Sequence, residues 1–182
     1  MEGMRKTSLT LGPWSDLDDQ GTDLSVLDFL TTRLSALSNS LRRDLTTPYA
    51  DQHGLSVSEW RVLSLIAHAK TLPFGILVVQ STSDKALVSR TVRLLVKRDL
   101  VSVRHEGGKS RKRLLCSITL KGKALHAKII PIARREQARA LRALSPAERE
   151  AFLSAIEKLQ AYCDTELAGA GAPATRRPAA SD

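Results

Sequence analysis

The residues best suited to chemistry in this sequence are basic, and most of them lie in one stretch. Residues 83–113 contain ten lysines and arginines but only three acidic residues, which accounts for seven of the nine excess positive charges of the chain. A solvated surface can carry such charge, but this density over a predicted helix and hairpin is typical of a nucleic-acid interface. The side chains that we predict to contact DNA are Lys85, Ser89, Arg90, Arg93, Lys109, Arg111, Lys112 and Arg113.

Two further basic residues of the same stretch have an open role. Arg98 and Arg104 fit an intramolecular ion pair as well as a contact with DNA. The sequence does not decide between these two roles.

Catalytic and metal chemistry is not indicated by the remaining residues. The sequence has no nucleophile–base motif and no glycine-rich loop of the kind that cradles phosphates. Cys116 and Cys163 do not form a CxxC pair, and the four histidines lack the spacing of metal ligands, so we expect two reduced thiols. We therefore predict that the protein is not an enzyme and has no catalytic residue, metal ligand or cofactor.

Composition indicates a globular protein with room for one core. The chain has 182 residues, of which 42% are hydrophobic and 26% charged. No apolar run reaches the roughly 18–20 residues that a membrane helix needs, and no apolar segment follows the first basic residues as in a secretory signal. We predict a cytoplasmic protein without a membrane partner.

A leucine pattern predicts a helix over residues 24–50, closed by Pro48. The leucines recur at three- and four-residue steps, which places them on one narrow stripe. Such a stripe is typical of a helix that packs on other helices or across a dimer. The stripe consists of Leu27, Leu30, Leu34, Leu37, Leu41 and Leu45.

The next predicted elements are three helices. A capping box, Ser56 to Glu59, begins the first of them, which ends near Ala69. A short helix follows from Pro73 to about Gln80, and a polar turn leads into a helix that ends near Arg98. This last helix has an apolar back, formed by Val88, Val92 and Leu95, and a basic front.

A β-hairpin and two long helices complete the pattern. Residues 100–105 and 113–119 alternate as strands around a turn at 106–110. A helix begins at Thr119, with a kink expected at Pro131, and a second capping box at Ser145 begins the last helix.

The order of elements predicts a mainly α protein with a small β-hairpin wing, a winged helix-turn-helix joined to a helical dimerisation region. A helix fits the major groove of DNA, where arginine can bind guanine in a bidentate contact, and a basic hairpin tip can enter the minor groove. The predicted division comprises a flexible arm over 1–23, a dimerisation region over 24–50 and 120–167, a DNA-binding domain over 54–119 and a disordered tail over 168–182.

Three segments resemble the MarR (multiple antibiotic resistance) family of regulators. Residues 54–65 (GLSVSEWRVLSL) resemble its second helix, and residues 88–95 with Leu100-Val101 resemble its recognition helix and first wing strand. Residues 118–122 (ITLKG) resemble the junction between wing and helix. The resemblance implies a homodimer that binds a pseudo-palindromic operator in double-stranded DNA, usually as a repressor. It also implies release by a small, often aromatic and anionic effector, bound between the DNA-binding and dimerisation regions.

The same resemblance suggests where an effector binds. Trp60 is expected in the core but borders the implied pocket, where its ring could stack on an aromatic ligand. Tyr49, His53 and Arg61 are polar groups near the same junction and complete the set of candidate ligand residues.

Two positions depart from the family pattern. The wing has Ser110-Arg111-Lys112 where the family commonly has Asp-x-Arg, so the acid that would buttress the arginine is missing. Asp99 stands where a glycine commonly follows the recognition helix; aspartate tolerates the left-handed conformation better than most residues, so we expect the turn to be kept. An effector-independent architectural or RNA-binding winged-helix protein is the alternative function.

Overall fold

The computed structural model describes residues 12–107 and 113–170, and these confirm the predicted fold class. They form a mainly helical structure with one small antiparallel sheet. The elements are a 3-10 turn Val26–Asp28, α1 Leu30–Leu41, a π-helical turn Arg42–Thr46, α2 Thr47–Gln52, α3 Val57–Ala69, β1 Thr71–Pro73, α4 Phe74–Ser81, α5 Lys85–Lys97, β2 Val101–Glu106, β3 Arg113–Ile118, α6 Leu120–Leu141 and α7 Pro146–Ala170.

The first helical region differs from the single helix predicted over 24–50. It begins later, at Leu30, and passes through the π-helical turn into α2. Pro48 does not close it, because the proline lies in the first turn of α2. The Thr47 N–H, immediately before it, still donates to the Arg42 carbonyl, so the π-helical turn continues the helix up to the proline, which has no N–H of its own to pair.

The helices α3 and α5 begin as their capping residues predict. The Glu59 backbone N–H donates to Ser56 Oγ (3.2 Å), and the Ser56 N–H donates to Glu59 Oε2 (2.9 Å), which completes a capping box. Asp84 Oδ1 accepts a hydrogen bond from the Leu87 N–H (2.8 Å) and caps α5.

The sheet contains one strand more than the predicted hairpin. Its order is β1-β3-β2, with Leu72 and Val103 on either side of Cys116. The strand β1 escapes prediction because Thr71–Pro73 is too short to show an alternating pattern. It lies between α3 and α4 and ties the base of the wing to the helices.

A Schellman motif ends α5 at the non-glycine position noted above. The Asp99 N–H donates to the Val96 carbonyl and the Leu100 N–H to the Leu95 carbonyl, both at 2.9 Å. Asp99 has φ 55°, so the expected left-handed turn is present with aspartate in place of glycine. Leu95 and Leu100 are both buried, which supplies the apolar contact that accompanies this motif.

The chain divides into two compact units, with the boundary after Arg134. The core lies in the first unit, where Leu63, Ile66, Leu77, Leu95 and Ile129 are fully buried. α6 is continuous through Pro131.

In the second unit, α7 begins with the predicted capping box, formed by Ser145 and Glu148. This helix continues to Ala170, past the predicted end of the helical region at residue 167. None of the helices in the described ranges has both the length and the apolar character needed to cross a bilayer.

Some predicted segments lie wholly or partly outside the described residues. These are positions 1–11 of the predicted arm, residues 108–112 at the wing tip and residues 171–182 of the predicted tail. The described part of the arm contains turns, and Trp14 Nε1 donates to the Asp28 carbonyl (2.7 Å) just before α1.

Candidate nucleic-acid interface and aromatic cluster

The helix α5 has an apolar back and a basic front. Val88, Val92 and Leu95 are buried, and Thr91 beside them donates its hydroxyl proton to the Leu87 carbonyl (2.9 Å). On the front, three basic side chains are exposed and Ser89 is half-buried. The exposed side chains are Lys85, Arg90 and Arg93.

The charges on this front are left available for a partner. In the described part of the chain, none of the ion pairs involves Lys85, Arg90 or Arg93. Arg93 Nε makes a long hydrogen bond to the Ser89 carbonyl (3.4 Å) along the same helix face. An exposed, unneutralised cationic face on a helix is suited to contact with phosphates and base edges.

The turn between α4 and α5 is held by Arg61. Arg61 Nη1 donates to the Ser81 carbonyl (3.2 Å) and to Thr82 Oγ1 (3.1 Å). Thr82 has φ 52°, an uncommon left-handed conformation for a β-branched residue. The structure therefore places Arg61, a candidate ligand residue, at the helix-turn-helix corner.

The wing is built by β2 and β3. Arg113 is exposed at the start of β3. On β2, Arg104 Nη2 lies 3.8 Å from Glu106 Oε1, and the side chains of this pair are largely exposed. Such a surface pair contributes little to stability. Lys109, Arg111 and Lys112, which we predict to contact DNA, lie outside the described residues.

Arg98, whose role the sequence left open, is held inside the chain. Its Nη1 donates to the Gly54 carbonyl (2.8 Å) and to Glu59 Oε1 (3.2 Å). Glu59 is buried, and the same carboxylate completes the capping box of α3. The bridge joins the end of α5 to the beginning of α3.

An aromatic cluster surrounds Trp60. The Tyr49 ring meets it edge to face, with ring centroids 5.7 Å apart and planes at 86°. His126 of α6 stacks on it, with centroids 5.5 Å apart and planes at 18°. Tyr49 and Trp60 are buried and His126 is half-buried, so the histidine is the member of the cluster that solvent reaches most.

Burial lowers the pKa of His126 below its ordinary value, and the positive charge of Arg134 lowers it further. The imidazole is therefore biased toward its neutral form. Sequence reasoning missed this residue. The signal available was its position three residues before the buried Ile129, on the same face of a helix.

The four candidate ligand residues are thus not all brought together. Tyr49 and Trp60 are in direct contact. His53 Nδ1 lies 2.8 Å from the Tyr49 carbonyl and can donate to it, but its half-buried ring lines a separate open cleft with Lys121 and Leu125. Arg61 is engaged at the helix-turn-helix corner instead.

Comparison with known proteins identifies the fold. No protein-family model and no curated protein matches the sequence. Among solved structures, a MarR/EmrR family regulator from Acinetobacter sp. ADP1 superimposes with TM-score 0.69 at 23% identity, over 78% of this chain and 99% of that one.

Two ligand-related structures are similar as well. BpsR of Bordetella bronchiseptica, whose DNA binding is regulated by 6-hydroxynicotinic acid, matches with TM-score 0.58 at 23% identity, over 70% of this chain and 98% of that one. NadR in complex with 4-hydroxyphenylacetate matches with TM-score 0.63 at 18% identity, over 75% and 95%. The chain therefore has the winged helix-turn-helix fold of the MarR type.

Proposed function

We propose that the protein is a sequence-specific, DNA-binding transcriptional regulator that acts as a homodimer. The observation that carries the proposal is the exposed basic front of α5 over a buried apolar back, in a MarR-type fold. In a winged helix-turn-helix, this helix enters the major groove and the hairpin reaches the flanking backbone. Residues 54–119 form the DNA-binding domain in this proposal.

The proposed DNA contacts divide into two classes. Arg90 and Arg93, with Ser89, lie on the front of α5, where side chains reach base edges. Lys85 in the first turn of α5 and Arg113 of the wing bind phosphates, together with Lys109, Arg111 and Lys112 of the wing tip. The first class sets base preference, and the second sets affinity and salt dependence.

The proposed dimer uses the leucine stripe of α1. Leu30, Leu34, Leu37 and Leu41 are between 38 and 45% exposed within one chain. A contiguous apolar surface of this kind indicates a protein partner, and a second copy supplies an identical stripe. We assign residues 24–50 and 120–167 to this dimerisation region.

The proposed effector is a small aromatic anion that binds beside the cluster of Tyr49, Trp60 and His126. Stacked and edge-to-face aromatic contacts favour a flat ring, and the cationic Arg134 is close enough to lower the pKa of His126. The similarity to NadR and BpsR, whose named ligands are hydroxylated aromatic acids, supports this chemical class.

The effector would act by a population shift and release a repressor from its operator. The two recognition helices of a dimer must lie about 34 Å apart to enter successive major grooves. A ligand that binds more tightly to a dimer with a different spacing reduces the population able to bind DNA.

The experiment begins with selection of a duplex by the wild-type protein from a random pool. Fluorescence anisotropy then compares that duplex with a random one of equal length, with and without a panel of aromatic carboxylates. A preference for the selected duplex, lost with one carboxylate, is the expected result. Equal affinity for both duplexes, with a steep salt dependence, would instead support the architectural alternative.

A substitution on the front of α5 tests base reading directly. Arg90→Ala is expected to weaken binding to the selected duplex by about 5- to 150-fold for each half-site, since each bidentate contact contributes about 1–3 kcal/mol of discrimination. Binding to the random duplex should change much less. The control is Lys158→Ala, which removes an exposed positive charge from α7; equal losses on both duplexes for Arg90→Ala would refute base reading.

A further inference from the structure

The C-terminal end of α5 is attached to the rest of the chain by polar contacts from two sides. Arg98 follows the last residue of α5, and its side chain bridges to the Gly54 carbonyl and the Glu59 carboxylate. The side chain of Glu59 is 11% exposed and that of Arg98 37% exposed, so solvent screens this pair less than a surface pair. The contacts join the end of α5 to the loop and first turn of α3.

The start of α6 holds the same end of α5 from the backbone side. Three consecutive carbonyls, those of residues 98, 99 and 100, accept hydrogen bonds from Lys121 Nζ (2.9 Å), Thr119 Oγ1 (2.7 Å) and the Thr119 N–H (3.2 Å). Gly122 is essential to this approach, because a Cβ at that position would overlap the Leu100 carbonyl. We call this set of contacts, with the Arg98 bridge, the α5 clamp.

The clamp matters because base reading depends on the tilt of the helix. With a rise of about 1.5 Å per residue, Arg93 lies about 12 Å from the start of α5. A tilt of about 10° that pivots at this start therefore moves Arg93 by about 2 Å. Binding sites tolerate deviations of about 0.5 Å. Of the clamp contacts, only the Arg98 bridge reaches α3. It therefore restrains the end of α5 relative to α3, whereas the other contacts restrain it relative to the start of α6.

We propose that Arg98 is a positioning residue for the recognition helix: by bridging the end of α5 to Gly54 and Glu59 it sets the tilt at which Arg90 and Arg93 meet base edges, and it does not itself bind DNA. The proposal rests on the proposed function, and it assigns Arg98 a different role from the other basic residues of the 83–113 stretch. Its consequence is selective: losing the bridge harms recognition of the selected duplex more than general attraction to DNA.

The test compares Arg98→Met with Lys97→Met, which removes the same charge from the exposed neighbouring position. Affinities for the selected and random duplexes are measured over a range of salt concentrations. Relative to Lys97→Met, Arg98→Met is expected to weaken selected-duplex binding by about tenfold at unchanged random-duplex affinity, because only base contacts are displaced. A salt slope lower than that of wild type by about 0.9, with equal losses on both duplexes, would show a phosphate contact and overturn the proposal.

A second variant removes a negative charge rather than a positive one. Glu59→Gln removes a negative charge, so general attraction would raise affinity for any DNA. Positioning predicts the reverse for the selected duplex, because the bridge to Arg98 is weakened. Unchanged or raised affinity for the selected duplex overturns the proposal, and this variant decides the matter if circular dichroism shows that Arg98→Met does not fold.

Hydrogen exchange in the absence of DNA separates this proposal from the proposed function. The amides of residues 94–100 are expected to exchange faster in Arg98→Met than in Lys97→Met, since the end of α5 is released. Equal exchange in the two variants overturns the clamp role whatever the DNA results. If wild-type protein shows no duplex preference, the proposed function fails, and that outcome is visible before any variant is measured.

Discussion

The helices α1 and α5 have nearly the same length, and each has an apolar stripe, made of leucines in α1 and of valines and leucine in α5, yet only α5 covers its stripe. The apolar back of α5, formed by Val88, Val92 and Leu95, is at most 4% exposed. On α1, the stripe from Leu30 to Leu41 stays between 38 and 45% exposed. Amphipathic pattern alone therefore does not tell whether a helix completes its own core or offers a surface to a partner.

The difference indicates the chemistry of the partner that the open face of each helix can bind. The apolar back of α5 is already covered, and its front is basic, which suits a polyanion; Leu94 and Val96 near its end are exposed as well. α1 leaves open an apolar face, which suits another apolar face. The proposed dimer and the proposed DNA complex thus use two separate surfaces, and substitutions can disturb one without the other.

The largest expected effect comes from charging the open stripe. Leu34→Glu/Leu37→Glu should make the protein monomeric, because carboxylates cannot be buried unpaired between two leucine stripes. Binding to the selected duplex should fall by about 100-fold or more, since half of the contacts are lost. Sedimentation velocity and anisotropy measure the two effects.

A matched control places the same two charges on a different face of α1. Ser35→Glu/Asn39→Glu changes two exposed polar positions and should leave both the dimer and DNA binding in place. A dimeric Leu34→Glu/Leu37→Glu variant would remove α1 from the proposed interface.

A smaller effect separates a covered leucine from an open one. Leu95→Ala should lower the free energy of unfolding by about 2–5 kcal/mol, as expected for a fully buried leucine, with little change in the dimer dissociation constant. Leu37→Ala should raise the dimer dissociation constant and change the free energy of unfolding of the single chain little. Urea unfolding and sedimentation equilibrium measure these two quantities in both variants. Equal changes in the two variants would contradict the distinction between a covered stripe on α5 and an open stripe on α1.

The smallest expected effect uses pH to distinguish the core from the leucine stripe. Burial lowers the pKa of His126 below 6.5, so on acidification the unfolded chain binds a proton before the folded one does. The contribution of this group to stability is therefore lost as the pH falls below about 6.5. The melting temperature should fall less steeply from pH 7.5 to 5.5 in His126→Phe than in wild type.

The comparison for this measurement is His68→Gln, which replaces an exposed histidine of α3. The pH dependence of the melting temperature should differ from that of wild type more in His126→Phe than in His68→Gln, because His126 is packed against Trp60. The α1 stripe is made of leucines, which do not ionise, so it should add nothing to this pH dependence. Identical pH profiles for wild type and His126→Phe would contradict the role assigned to burial.

Local sequence signals predicted the helices of the first unit best where a side chain acts on its own backbone. Ser56 and Glu59 cap α3, Asp84 caps α5, and Asp99 adopts the left-handed turn, all within a few residues of the group that they satisfy. The π-helical turn at Arg42–Thr46 and the short strand β1 were not predicted. The strand β1 depends on pairing with the distant strand β3 rather than on a periodic pattern of its own.

By itself, the sequence determined the winged helix-turn-helix order, the two faces of α5 and the concentration of positive charge beside them, because periodicity and capping are read over one or two turns of chain. Only the tertiary structure decided which arginines are held internally. Arg61 and Arg98 carry the same guanidinium group as Arg90, but their hydrogen-bond partners lie 20 or more residues away, at Ser81 and Gly54. The stacking of His126 on Trp60 was decided in the same way, since it requires α3 and α6 to pack together before the two rings can meet.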